Sequence, residues 1–263
     1  MLTKIIKHEF KATYRTFIPI YIALAIVTGA ACLFLPALSK YNNSILSIVM
    51  GFGIILLVLG FIFVIMSPYI FLSVRFYKTT ATREAYLTFT IPTDTKIILL
   101  GKFIVTFIWT TVTILLWLLA FIALSYRFDF GLSFSFDSNI VLQILYLAAS
   151  ISCSILTIFA AISLSQLVRD HRVIASFAFY MALTTVQQIV SIAALIPIML
   201  KELSASGDAE YTAFGMTVEG MNASGTVTSD TTVYVLSLII GIVFSLVFYF
   251  ISNYMLKKKL NLL

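Results

Sequence analysis

The chain has 263 residues, of which 61% are hydrophobic and only 11% charged, whereas a soluble domain carries about 25% charged residues. Its formal charge is +6, but the basic residues collect beside long apolar runs, which assigns them to lipid headgroups and membrane topology and argues against a nucleic-acid partner. Six stretches contain no Asp, Glu, Lys or Arg: Arg15 to Lys40, Lys40 to Arg75, Lys102 to Arg127, Asp137 to Arg169, Arg172 to Lys201 and Asp230 to Lys257. Each can cross the hydrocarbon core, which takes about 20 residues. The chain is therefore expected to form one membrane domain, with no room for a separate soluble one.

In chain order, residues 1–16 come first. Leu2, Ile5, Ile6, Phe10 and Thr13 fall at helical spacing, and Lys4, Lys7, Lys11 and Arg15 occupy the other faces. That pattern predicts an interfacial helix along the cytoplasmic surface, or a basic tail that only sets topology. The start carries no signal peptide, because the first apolar run lacks a small-residue cleavage site behind it. Six spans are expected over Phe17–Leu38, Ile48–Val74, Ile97–Ser125, Ile140–Val168, Val173–Leu200 and Thr232–Leu256. Their continuous apolar runs call for helices; a barrel would show short alternating segments. Cys32 and Cys153 fall inside spans and read as small hydrophobes.

Six spans put both termini on one side. The segments on that side hold fourteen Lys and Arg, against three (Lys40, Arg127 and Lys201) on the other. The positive-inside rule therefore places both termini in the cytoplasm.

Several chemistries are unsupported. The single Gly-Lys pair, Gly101-Lys102, is followed by Phe103 and preceded by four aliphatic residues, so no phosphate-cradling loop exists there. The two histidines, His8 and His171, lie in cytoplasmic segments. No HExxH pattern and no paired acid falls within a span, so neither catalytic nor metal-ligating residues are expected.

Between the second and third spans, residues 75–96 form the most distinctive soluble piece. Thr80 or Thr82 can cap a short helix through Arg83, Glu84, Ala85, Tyr86 and Leu87, Pro92 stops it, and Thr93 or Asp94 caps the third span. A helix tied at both ends to spans can transmit force to them. Pro68, after Ser67 deep in the second span, should bend that helix and is a candidate hinge. In the fifth span, Thr184, Thr185, Gln187, Gln188 and Ser191 form a polar strip. Thr184, Gln187, Gln188 and Ser191 are candidates to line a translocation path; interhelical hydrogen bonding is the simpler explanation. The outer loop, 201–231, is long and acidic, and Ala209–Val218 could form a short helix in it.

The loop carries Glu84, Tyr86, Leu87, Thr90 and Pro92, followed by Leu100-Gly101-Lys102. This pattern, Glu-x-Tyr-Leu-x-x-Thr-x-Pro and then Leu-Gly-Lys, resembles the permease subunits of bacterial ABC-2-type exporters. The motif covers about twenty residues and the layout the whole chain. The resemblance implies an all-α membrane protein of type V exporter-like architecture, with six spans and a cytoplasmic interfacial helix. It implies coupling to a separate ATP-binding cassette subunit through Arg83, Glu84, Tyr86, Leu87 and Phe89, with ATP and Mg held by that partner and no cofactor on this chain. It also implies dimerisation with a second copy or a paralogue, a path lined by the second and fifth spans, and export of an amphipathic peptide, drug or lipid-like molecule across the plasma membrane. Two other readings fit the apolar spans: an ATP-independent transporter or channel, and a non-transporting scaffold or sensor subunit.

Overall fold

The computed structural model describes residues 2–39, 44–81, 94–128, 140–168, 171–205 and 231–258. These residues are almost wholly helical, with no strand among them. The helices are α1 (Leu2–Ser39), α2 (Ser44–Ala81), α3 (Thr95–Phe128), α4 (Ile140–Ser165), α5 (Arg172–Ala205) and α6 (Thr231–Lys258). Each is long and apolar enough to cross a membrane, as the charge spacing predicts, and the chain is a multi-pass membrane protein. Helices satisfy every backbone group internally, which hydrocarbon demands. Polar side chains at depth follow the same rule. Thr106, Thr110 and Thr157 donate to the carbonyls of Lys102, Thr106 and Cys153 at 2.8, 2.8 and 2.7 Å.

Proline is accommodated in the same way. Helix α2 runs unbroken through Pro68, which has no N–H to offer the carbonyl four residues earlier. The Ser67 hydroxyl supplies that donor, reaching the Val64 carbonyl at 2.8 Å.

The pattern of residues 1–16 predicts an interfacial helix that enters the bilayer near Phe17–Pro19. Residues 2–16 are helical, and they run without a break into the first span, in one helix of 38 residues. At about 1.5 Å per residue such a helix outruns a hydrocarbon core of about 30 Å. Its first turns lie along the start of α3, where Gly101 lets them approach. A Cβ on Gly101 would sit 3.0 Å from Ile5 Cγ2 and 3.7 Å from Leu2 Cδ1. Gly101→Val is therefore expected to cost about 1–3 kcal/mol of stability by overpacking, with Ile5→Ala in the same chain restoring part of it. Thermal melting in detergent reads both. A Val variant as stable as the parent would mean that α1 does not rest on this glycine.

Packing divides the bundle into two three-helix groups, α1–α2–α3 and α4–α5–α6, joined chiefly by α4 against α2 and α3. Small side chains make α4 the centre. Ala160, Ala161, Ser163 and Ser165 are all buried, and close helix approach in membranes favours such residues. At Gly241 of α6 an added Cβ would stand 3.7 Å from Ala149 Cβ. One apolar cluster gathers Phe76, Leu99, Phe159 and Leu256, with the Phe76 and Phe159 rings stacked at 4.0 Å. These residues lie near the C-terminal ends of α2, α4 and α6 and the start of α3, so those ends meet at one end of the bundle. This is the basic end, and α1 also begins there.

α5 follows α4 after six residues. His171 takes a left-handed conformation, φ 57°, and its carbonyl accepts the Ala175 N–H at 3.0 Å, which opens α5.

Candidate functional site

Two features of the bundle have functional chemistry: a charged clamp at the basic end and a polar cavity deeper in the second helix group. The clamp centres on Glu9 of α1. Its Oε2 accepts from Arg75 Nε of α2 at 2.7 Å and its Oε1 from Lys102 Nζ of α3 at 2.8 Å. Lys102 Nζ also donates to Thr79 Oγ1 at 2.9 Å. The Lys102 side chain is only 7% exposed and that of Glu9 13%. A lysine this deep is costly without a counter-ion, and the carboxylate on α1 supplies one. The three helices of the first group are thus tied by a single residue.

Two turns along α3 from Lys102, Trp109 stacks between Phe10 and Phe17 of α1, at centroid separations of 4.8 and 4.7 Å. Its indole N–H donates to Thr13 Oγ1 at 2.8 Å. From the other helix group, Gln166 Nε2 donates to the Thr80 carbonyl at 3.1 Å, which fastens the end of α2 to the end of α4.

Arg83, Glu84, Tyr86, Leu87 and Phe89 lie outside the described residues, as do Arg169, Asp170 and the outer stretch 206–230. The flanks of the 82–93 segment are described. α2 persists to Ala81. Asp94 holds the N-cap position of α3, its carbonyl accepting from the Ile97 N–H at 2.9 Å. The segment therefore connects two helix ends that the clamp has already fixed to α1.

The cavity lies between α4, α5 and α6 and has a volume of about 540 Å³. Thr184, Gln187, Gln188 and Ser191 all line it, as the polar strip of the fifth span would require. Facing them are Tyr146, Ser150 and Ser154 of α4 and Ser237 of α6. The Thr184 hydroxyl is spent on the Tyr180 carbonyl of its own helix at 2.9 Å. Ser154 reaches the Tyr69 hydroxyl of α2 at 3.3 Å. Gln187 and the buried Cys153 line the same cavity. All of these lining groups are neutral donors and acceptors, so the space can hydrate or hold an uncharged polar moiety. α2 contributes no lining residue among those described. Within one chain α2 and α5 belong to different helix groups.

Glu9, Trp109 and Thr79 carry more of this architecture than the sequence pattern signals. A signal did exist. Glu9 is the only acid before Glu84, set among Lys4, Lys7, Lys11 and Arg15. Lys102 sits inside the third apolar run, where a cation needs a partner.

Comparison of the chain with protein-family models, with curated proteins and with solved structures finds no match.

Proposed function

We propose that this chain is the membrane-spanning permease subunit of an ATP-driven exporter of the ABC-2 kind. It would work with a separate ATP-binding cassette subunit and a second permease copy or paralogue, in the plasma membrane with both termini in the cytoplasm. What supports the reading is the Glu84–Pro92 pattern of the sequence together with the clamp on its flanks. In chain order the pattern falls between α2 and α3, and Glu9 ties Arg75 of α2 and Lys102 of α3 to α1. A nucleotide-driven push on Arg83, Glu84, Tyr86, Leu87 and Phe89 would then move the first helix group as a body. Pro68, where the helix lacks one backbone hydrogen bond, is the place where α2 yields most easily. The neutral polar cavity lined by Thr184, Gln187, Gln188 and Ser191 suits the polar part of an amphipathic cargo, and the apolar spans suit the rest.

The test is co-purification with a nucleotide-binding subunit and cargo-stimulated ATP turnover. The double variant Glu84→Ala, Tyr86→Ala should lower cargo stimulation by about tenfold, within the usual range of coupling between sites, while leaving basal turnover of the ATPase in place. Unchanged stimulation would remove the assigned segment from the coupling route. Uphill solute movement in vesicles that hold this chain alone would replace the proposal with an ATP-independent transporter.

A further inference from the structure

Between α1 and α2 runs a seam that the bundle does not fill. At the clamp end it opens as a crevice of about 340 Å³, with Thr13 and Thr16 on α1 and Arg75, Lys78 and Thr79 on α2. Phe17 and Phe71 line the same crevice. Farther along, the seam widens again into a hollow of about 330 Å³, lined by Ile20, Leu24 and Val27 of α1 and Leu57, Gly60 and Val64 of α2. The two hollows follow one another along both helices, from residues 12–17 to 19–28 on α1 and from 71–79 to 57–64 on α2. From Thr13 to Val27 the lining of α1 covers 14 residues, while on α2 it runs the opposite way, from the Thr79 end toward Leu57. At about 1.5 Å per residue this is a track of 20 Å or more, longer than the half-core of about 15 Å that one acyl chain fills.

The chemistry changes along the track. Its mouth is cationic and hydroxylic, with no acid among the described lining residues. One carboxylate, Glu9, answers two cations, Arg75 and Lys102, and Lys78 lines the same mouth. The inner hollow is apolar apart from Thr28, whose hydroxyl is spent on the Leu24 carbonyl at 2.8 Å. The rim is open sideways, with Phe63, Phe71 and Val74 exposed on α2. A basic pocket between spans at headgroup level, continued by an apolar groove that opens into the bilayer, matches a molecule with an anionic head and a hydrocarbon tail.

We infer that the α1–α2 seam binds one anionic phospholipid, its phosphate at Arg75, Lys78 and Thr16 and an acyl chain along Ile20, Leu24, Gly60 and Val64. This site is independent of the permease reading and lies in the opposite helix group from the polar cavity. Bound there, the lipid wedges α1 against α2 beside the clamp and makes the hold of α1 sensitive to membrane composition.

The experiment is native mass spectrometry of the full chain from micelles containing equimolar phosphatidylglycerol and phosphatidylcholine. The parent should retain one phosphatidylglycerol in preference to phosphatidylcholine. Lys78→Gln, an exposed substitution, should lower that preference by about fivefold, the effect of one basic residue at a headgroup. Gly60→Leu should lower retention of both lipids, because its side chain enters the groove; a Cβ at Gly60 meets nothing within 4 Å, so the helix tolerates it. Inorganic phosphate should leave the lipid adduct in place. Equal retention of the two lipids by the parent, selective retention that survives both substitutions, or displacement by phosphate alone would each overturn the assignment.

Discussion

Replacing Glu9 with Gln is expected to destabilise the protein by about 3–5 kcal/mol, the usual cost of removing one partner from a buried ion pair. The loss is large because the carboxylate answers two cations, Arg75 at 2.7 Å and Lys102 at 2.8 Å. A glutamine there can still accept a hydrogen bond, but Lys102 and Arg75 then have no carboxylate partner among the described residues, and two like charges are left near each other at the edge of the apolar core. Lys102→Met alone should cost much less, since Glu9 retains Arg75. The double variant Glu9→Gln, Lys102→Met should recover a good part of the loss, because one uncompensated charge has gone. Reversible unfolding in mixed micelles measures all three. A Glu9→Gln protein within about 0.5 kcal/mol of the parent, the range of an ordinary surface substitution, would show that the clamp does not hold the helices.

Trp109→Ala is expected to cost about 3–5 kcal/mol, as for other large-to-small substitutions of buried aromatics. In a bilayer, burial against lipid gives little net gain, so helix association relies on close packing and interhelical hydrogen bonds. Trp109 supplies both to α1. Its ring lies between Phe10 and Phe17, at interplanar angles of 15° and 21°, and its N–H reaches Thr13. Trp109→Phe should keep most of the stack and lose the hydrogen bond, for about 1 kcal/mol. The ordering Ala far worse than Phe, read from detergent melting curves, is the diagnostic result. Equal losses would assign the role to the indole N–H alone. Both Glu9 and Trp109 act on the same interface, so combining Glu9→Gln with Trp109→Ala should fall short of additivity.

The six crossings were legible in the sequence because solvation in hydrocarbon is a local property. Any run such as Ile48–Val74 must be apolar and helical whatever its neighbours are, and the run itself displays that. The start of α3 was legible to within a residue, as Thr93 or Asp94, for a similar reason, since capping depends on the residues around one helix end; the structure has Asp94 there. The tertiary structure alone decided which helices meet. Residues 2–16 have the spacing of an interfacial helix, and only the structure shows that they run without a break into the first span. Gly101 has no side chain, Trp109 offers two ring faces and Lys102 needs a counter-ion, and all three lie on α3, where α1 can reach them. Thr184, Gln187, Gln188 and Ser191 announce a polar strip in the sequence, but nothing local says that the strip faces Ser150, Ser154 and Ser237 across a cavity. Pairing of that kind depends on shape and charge brought together from residues roughly 35 to 95 positions apart, and a pattern read along one helix contains no term for its partner.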